Sequence, residues 1–135
     1  IMKRIILMTH GKFGEELIKS AEMIIGKLKQ VSTFSLTEDE GTIEFIQRVR
    51  TSVQDDEELL ILVDLFGGTP FHAASYLFKS LNASVVTGLS LPLLLEAYMS
   101  FIQGDEFELE ALIETGKDAI KNISEEFKER REVNG

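Results

Sequence analysis

The chain has no cysteine and no tryptophan, and only two prolines and two histidines among its 135 residues. Without cysteine there is no disulfide framework, no thiolate nucleophile and no cysteine metal site. That fits a reducing compartment. Long apolar runs are missing too. The best candidate, Leu89–Leu95, contains Pro92 and falls far short of the ~18 residues that a membrane-spanning helix needs. Lys3 and Arg4 precede a short apolar run, Ile5–Met8, which His10-Gly11 ends. A signal peptide would need a longer apolar stretch and a small-residue cleavage site. With Ile1 set aside, the chain reads as cytoplasmic.

Positive charge is scarce: 14 basic residues face 23 acidic ones, for a net charge of −9. This argues against binding the phosphate backbone of DNA or RNA. An acidic surface suits a basic protein partner or plain solubility, and charge alone does not separate the two. With scattered acids and two histidines, no metal-ligand cluster stands at suitable spacing, and no cofactor is implied.

The apolar fraction of 44% and the charged fraction of 27% are those of an ordinary globular domain. No repeat, low-complexity segment or linker breaks the chain, so residues 1–135 read as one domain. Strand-like runs alternate with helical patterns, which predicts an α/β fold built on a parallel sheet. Arg4–Thr9 reads as a first strand and Leu59–Val63 as a third, both nearly continuous apolar runs of the kind buried on two faces. Val31–Leu36 and Ser84–Gly88 are shorter strands. Helices are predicted over Phe13–Ile25, with Leu17, Ile18, Ala21 and Ile25 as its stripe and Gly26 as its stop. A second runs from Thr42 to Val53, with Ile43, Ile46, Val49 and Val53 on one face. A third begins just after Thr69, taken as N-cap with Pro70 at the first helical position. Leu91–Phe101 is helical, and Glu106–Arg131 forms one long last helix whose stripe is Leu109, Leu112, Ile113, Gly116, Ile120, Ile123 and Phe127.

In a doubly wound sheet of order 2-1-3-4, ligands sit beyond the carboxyl ends of strands one and three, where the winding reverses. Those ends read Thr9-His10-Gly11 and Asp64, the latter followed by Gly67-Gly68-Thr69-Pro70. A neutral imidazole is a competent nucleophile toward phosphorus, and histidine's ordinary pKa of ~6.5 leaves it largely neutral at physiological pH. Asp64 is placed to accept a hydrogen bond from Nδ1–H, fixing the tautomer that frees Nε2. Gly11, Gly67, Gly68 and Thr69 are candidate phosphate contacts, with backbone N–H groups at a helix N-terminus as the anion cradle. His72, three residues into the same helix, is left outside this set.

The segments IILMTHGKFGEELIKSAEMIIG, LLILVDLFGGTPFHAAS and VTGLSLPLLLEAYM together resemble the IIA component of mannose-family sugar phosphotransferase systems, over Met2 to about Lys128. The resemblance implies that His10 accepts a phosphoryl group from the phosphocarrier HPr and passes it to a IIB domain. The membrane subunits IIC and IID would be served indirectly. It implies that Asp64 is the histidine's partner and that Thr69 helps hold the phosphoryl group. It also implies a homodimer exchanging a C-terminal segment, which could supply a swapped edge strand from Arg131–Gly135, and partner contacts at Met23 and Phe34. His72 stands where the family pattern often has asparagine. No Pro/Ala-rich linker follows, so the chain resembles a free-standing IIA. Three alternatives stay open: the phosphotransferase domain of a dihydroxyacetone kinase system, a receiver-like signalling domain phosphorylated on Asp64, and a phosphate-binding module without catalysis. The receiver reading lacks the acidic pair at the end of strand one that Mg²⁺ binding needs. The binding-module reading lacks a Walker lysine after the glycines.

Overall fold

The computed structural model describes residues 2–134, with side chains through Arg131. Strands β1 (Met2–His10), β2 (Val31–Leu36), β3 (Glu57–Val63) and β4 (Ala83–Thr87) form one sheet of order β2-β1-β3-β4. Every pairing is parallel. The helices are α1 (Phe13–Ile25), α2 (Thr42–Ser52), α3 (Gly68–Phe78), α4 (Leu91–Ala97), α5 (Leu109–Asp118) and α6 (Ile123–Asn134).

The two central strands feed two cores because successive side chains point to opposite faces. Ile5, Leu7, Leu60 and Leu62 pack with Leu17, Ala21, Leu93, Leu94 and Phe101 beneath α1 and α4. Ile6, Met8, Leu59, Ile61 and Val63 pack with Phe45, Val49, Ala73 and Leu77 beneath α2 and α3. Burial on both faces explains the absence of alternation in β1 and β3. The winding is thus the doubly wound one expected. Its reversal lies between β1 and β3, with α1 leaving toward one face and α3 toward the other. No helix among the described residues is long and apolar enough to cross a membrane.

Four local expectations are corrected. The last long helix is two helices, because Asn122 Oδ1 accepts the Glu125 N–H at 3.2 Å and so caps a new start. Of its expected stripe Leu112 is buried and Leu109 and Ile113 pack half-buried against the same core, whereas Ile120 is 86% exposed. The helix after β4 ends at Ala97 and widens into a π-turn over Tyr98–Ile102. In α2 the buried residues are Phe45 and Val49, whereas Ile43 is exposed. Finally, α3 begins at Gly68 with Gly67 as its N-cap and no side-chain cap bond, so Thr69 lies inside the first turn and Pro70 after it. Of the C-terminal segment considered for an exchanged strand, Arg131 through Asn134 are helical, and Gly135 lies outside the described residues.

An ion pair anchors the carboxyl end of β2. Arg48 Nε meets Glu40 Oε2 at 2.6 Å, and its Nη2 donates to Glu40 Oε1 at 2.9 Å and to the Ser35 carbonyl at 2.8 Å. Hydrogen bonding from Arg48 holds the Glu40 carboxyl below the ordinary carboxylate range, and the same bond raises the guanidinium. A carboxyl lowered in the folded state contributes stability above its unfolded pKa, and that contribution is lost as pH falls through the folded value. Urea midpoints therefore decline more steeply below about pH 4.5 in the native chain than in Glu40→Gln. Parallel declines would show that the pair contributes nothing.

Candidate active site

His10 is the last residue of β1 and Asp64 directly follows β3. The register Met8↔Val63 places them side by side. Asp64 Oδ2 receives two hydrogen bonds from His10, the backbone N–H at 2.9 Å and Nδ1 at 3.0 Å. A carboxylate offers only acceptors, so the ring proton sits on Nδ1 and the lone pair on Nε2. The imidazole is 47% exposed, and no described protein group bonds Nε2. Asp64 Oδ1 is buried without a hydrogen-bond partner. Both bonds from His10 thus fall on one oxygen.

Beyond Asp64 the chain turns through Gly67 (φ +117°) and Gly68 (φ +81°) into α3. A Cβ on Gly68 would lie 3.2 Å from both Cε1 and Nε2 of His10. The side-chain-free start of α3 therefore approaches the one ring nitrogen not held by Asp64. No side chain caps this helix, so its first N–H groups are left without a side-chain acceptor and the positive end of its dipole lies near the ring. Thr69 is half-buried in the same turn.

His10, Asp64 and Gly68 thus come together, with Gly67 and Thr69 on either side of Gly68 in the chain. Gly11 does not join them as an anion contact: its N–H is already bonded to the Leu36 carbonyl at 2.9 Å, and its φ of +53° serves the turn after β1. Met23 is also displaced. It is 87% exposed, but it lies ten residues into α1, about 15 Å along a helix that starts beside His10 and runs away from it. Phe34 is half-buried against the α2–α3 core, under the Arg48 guanidinium. His72 is exposed, in edge contact with Phe71, and not bonded to the His10–Asp64 pair.

Sequence reasoning missed Thr9 and Gly14. Thr9 is fully buried, and its Oγ1 accepts the Gly14 N–H at 3.1 Å and donates to the Gly11 carbonyl at 3.4 Å. It ties the turn behind His10 to the first turn of α1. Gly14 is required because a Cβ there would collide with Thr33 Oγ1. A hydroxyl at the end of an otherwise apolar strand was the available signal.

Comparison with known proteins gives a consistent set of relatives. The family model EIIA-man, described as "PTS system fructose IIA component", matches residues 4–117. The mannose-specific EIIAB component of Escherichia coli K12 is 32% identical over 125 residues, covering 88% of this chain and 39% of that relative. The chain therefore spans about two fifths of the length of that protein. The fructose-specific EIIA component of Bacillus subtilis is 32% identical over 99 residues, 70% of this chain and 68% of its own. Among solved structures, the PTS IIA protein associated with the fucose utilization operon of Streptococcus pneumoniae superposes with a TM-score of 0.83 at 28% identity, over 94% of this chain and 97% of that one.

Gly68→Ala and Gly26→Ala together test the approach of α3 to the ring. Both positions have positive φ, but only the Cβ at 68 has a neighbour within 4 Å. Each substitution is expected to cost about 1–2 kcal/mol in urea unfolding from the left-handed backbone alone. Only Gly68→Ala should move the His10 ring resonances in ¹⁵N-correlated NMR. Equal ring shifts in the two variants would refute the contact.

Proposed function

This chain belongs to the EIIA-man family of phosphotransferase-system IIA components, and from that premise we propose that it is a phosphohistidine carrier in sugar uptake. HPr is the proposed donor and a IIB domain the proposed acceptor, with the carrier working in the cytoplasm. The observation that carries this is the His10–Asp64 pair at 3.0 Å, with Nε2 turned to the uncapped start of α3.

The transfer follows from that geometry. The Nε2 lone pair of His10 attacks phosphorus in line as the bond to the donor's imidazole nitrogen breaks, and that electron pair returns to the donor ring. Asp64 keeps the Nδ1 proton in place and opposes the positive charge that phosphorylation puts on the ring. The transferred group, carrying about −1.5 to −2 charges near pH 7, comes to lie at the N–H groups of Gly68 and Thr69. Positioning and preorganised charge supply the rate. Passage to a IIB domain is the same step in reverse, with the acceptor nitrogen as nucleophile.

The relatives named above are sugar-system components, which favours this role over a dihydroxyacetone kinase subunit. Engagement of Asp64 Oδ2 by both His10 donors weighs against Asp64 as a phosphoacceptor.

A homodimer is part of the proposal. Among the described residues the outer edge of β4 is unpaired. Beside it runs an apolar groove of about 680 Å³ lined by Phe71, Phe78, Val85, Leu93 and Ile113, with Ile120 at its rim. A second copy of the chain is its proposed occupant. Sedimentation equilibrium should give a dimer for the native chain and a shift toward monomer for Phe78→Glu; a native monomer would remove this part.

The carrier role is tested by incubating the chain with phosphoenolpyruvate, enzyme I and HPr and mapping the label by mass spectrometry. The label should sit on His10, survive alkali and be lost in acid. It should be absent from His10→Ala and slowed by about a hundredfold or more in Asp64→Ala, whose fold stays intact. A hydroxylamine-sensitive label on Asp64, or native rates in Asp64→Ala, would overturn the assignment.

A further inference from the structure

Helices α2 and α3 lie side by side over the core of Phe45, Val49, Ala73 and Leu77. Each follows a strand of the parallel sheet, so both run from its carboxyl edge toward its amino edge. Between them opens a groove of about 830 Å³, lined by Ile43, Ile46 and Arg50 of α2 and by Tyr76, Lys79 and Ser80 at the end of α3. None of these residues belongs to the His10 site. Helix α2 carries more apolar surface than the core beneath it takes up: Ile46 is half-buried, but Ile43 is 72% exposed, and Tyr76 across the groove is 58% exposed. The cations stand at one end, Arg50 in the last turn of α2 and Lys79 at the close of α3. Arg50 donates to the Ser80 hydroxyl at 2.5 Å, and neither cation meets a carboxylate among the described residues. No carboxylate lines the groove, although acids outnumber bases 23 to 14 in the chain. Asp55 and Glu57 stand beyond Arg50 in a separate hollow, and Glu57 is already paired with Arg4 at 3.1 Å.

We infer that the groove between α2 and α3 docks an acidic amphipathic helix of a partner protein. Its apolar side chains rest on Ile43, Ile46 and Tyr76, and its carboxylates meet Arg50 and Lys79. A helix laid between two others presents apolar residues three and four apart on one face, the spacing that fills such a groove. Removing the exposed isoleucine and tyrosine from water supplies the attraction, and charge sets partner choice and orientation. A basic segment would set its cations against two more with no counter-charge, which excludes it. Arg50 and Lys79 also answer the negative ends of their helices, but that role spends few of their donors. Of the five N–H donors of an arginine, Arg50 uses one, to Ser80. The surface does not depend on the carrier role proposed above. Under that role it is a tether, because its lining is separate from the His10 site and the partner stays bound while donor and acceptor exchange there.

The test uses two fluorescein-labelled helical peptides about 15 residues long. One has leucines three and four apart with glutamates between them, and the other has lysines in place of the glutamates. Fluorescence anisotropy should show saturable binding of the acidic peptide to the native chain, weakening with salt. Its shifts in ¹⁵N-correlated NMR should be confined to residues 43–50 and 76–80. Arg50→Glu/Lys79→Glu should weaken the acidic peptide by about tenfold or more and strengthen the basic one. Should that pair of changes unfold the chain, Lys79→Glu alone, at an exposed position, carries the same comparison. Ile43→Ser should weaken binding without altering its salt dependence. Lys27→Glu, the same charge change on an exposed residue beyond α1 at the other face of the sheet, should leave binding as it is. No saturable binding of the acidic peptide, equal binding of the basic peptide to the native chain, or an equal loss in Lys27→Glu would each overturn the proposal. A shift toward monomer in Ile43→Ser by sedimentation equilibrium would assign the groove to a second copy and overturn it too. With the acidic peptide saturating, labelling of His10 from phosphorylated HPr should keep its native rate, and competition between the two would overturn the tether. Peptide binding is read without any phosphoryl transfer, so its failure is distinguishable from failure of the carrier role.

Discussion

One carboxylate oxygen holds the site together. Asp64 Oδ2 accepts both the backbone N–H and Nδ1 of His10, so it fixes the strand end and the ring by the same contact. This is possible only because β1 and β3 pair in the register Met8↔Val63, with His10 two residues past one partner and Asp64 one past the other. A slip of one residue would turn His10 toward the opposite face. That register is in turn guarded by two cores: the residues of β1 and β3 that alternate between faces are fully buried on both. A slip would exchange every apolar contact of the central strands. The chemistry thus inherits its precision from packing well away from the crevice.

Around that contact the local backbone is arranged to leave Nε2 uncovered. Gly68 brings the start of α3 against the ring without a side chain. Gly14 lets α1 close onto β2, and Thr9 secures the turn between them through its buried hydroxyl. Each of these positions trades conformational freedom or helix capping for room at one nitrogen. A side-chain cap on α3 would satisfy its first N–H groups, but it would also occupy the space where an anion attached to Nε2 would rest.

Much of this was legible in the sequence, and the failures have physical causes. Apolar runs marked β1 and β3 because burial on both faces leaves no alternation to confuse. His10 and Asp64 followed from topology, since strand ends at a winding reversal must meet. The face of α2 held at Ile46, Val49 and Val53 but not at Ile43, where only the shape of the sheet beneath selects Phe45 in its place. Glu106–Arg131 looked continuous because periodicity does not register a competing cap, here Asn122. Gly11 looked like an anion contact because glycine next to a nucleophile suggests a free N–H. The parallel pairing with β2 had already engaged it. Arg48 and Glu40, eight residues apart across a turn, form a bond that no helical spacing announces.

For an acidic chain, the proposed acceptance of an anionic group presents an apparent conflict, and distance resolves it. The field at the start of α3 is local and fades within the first turn, whereas the excess of carboxylates acts over a screening length of about 8–10 Å at ordinary ionic strength. In the proposed role, a free phosphate or nucleotide approaching this protein would meet the negative envelope first. A phosphoryl group presented by a basic protein would meet attraction at long range and enter the favourable field beside Nε2 only after contact. The excess of carboxylates would therefore favour a protein donor over small phosphate donors. Selectivity for phosphoryl groups carried on proteins can thus come from the placement of charge alone, with no pocket shaped to recognise the group itself.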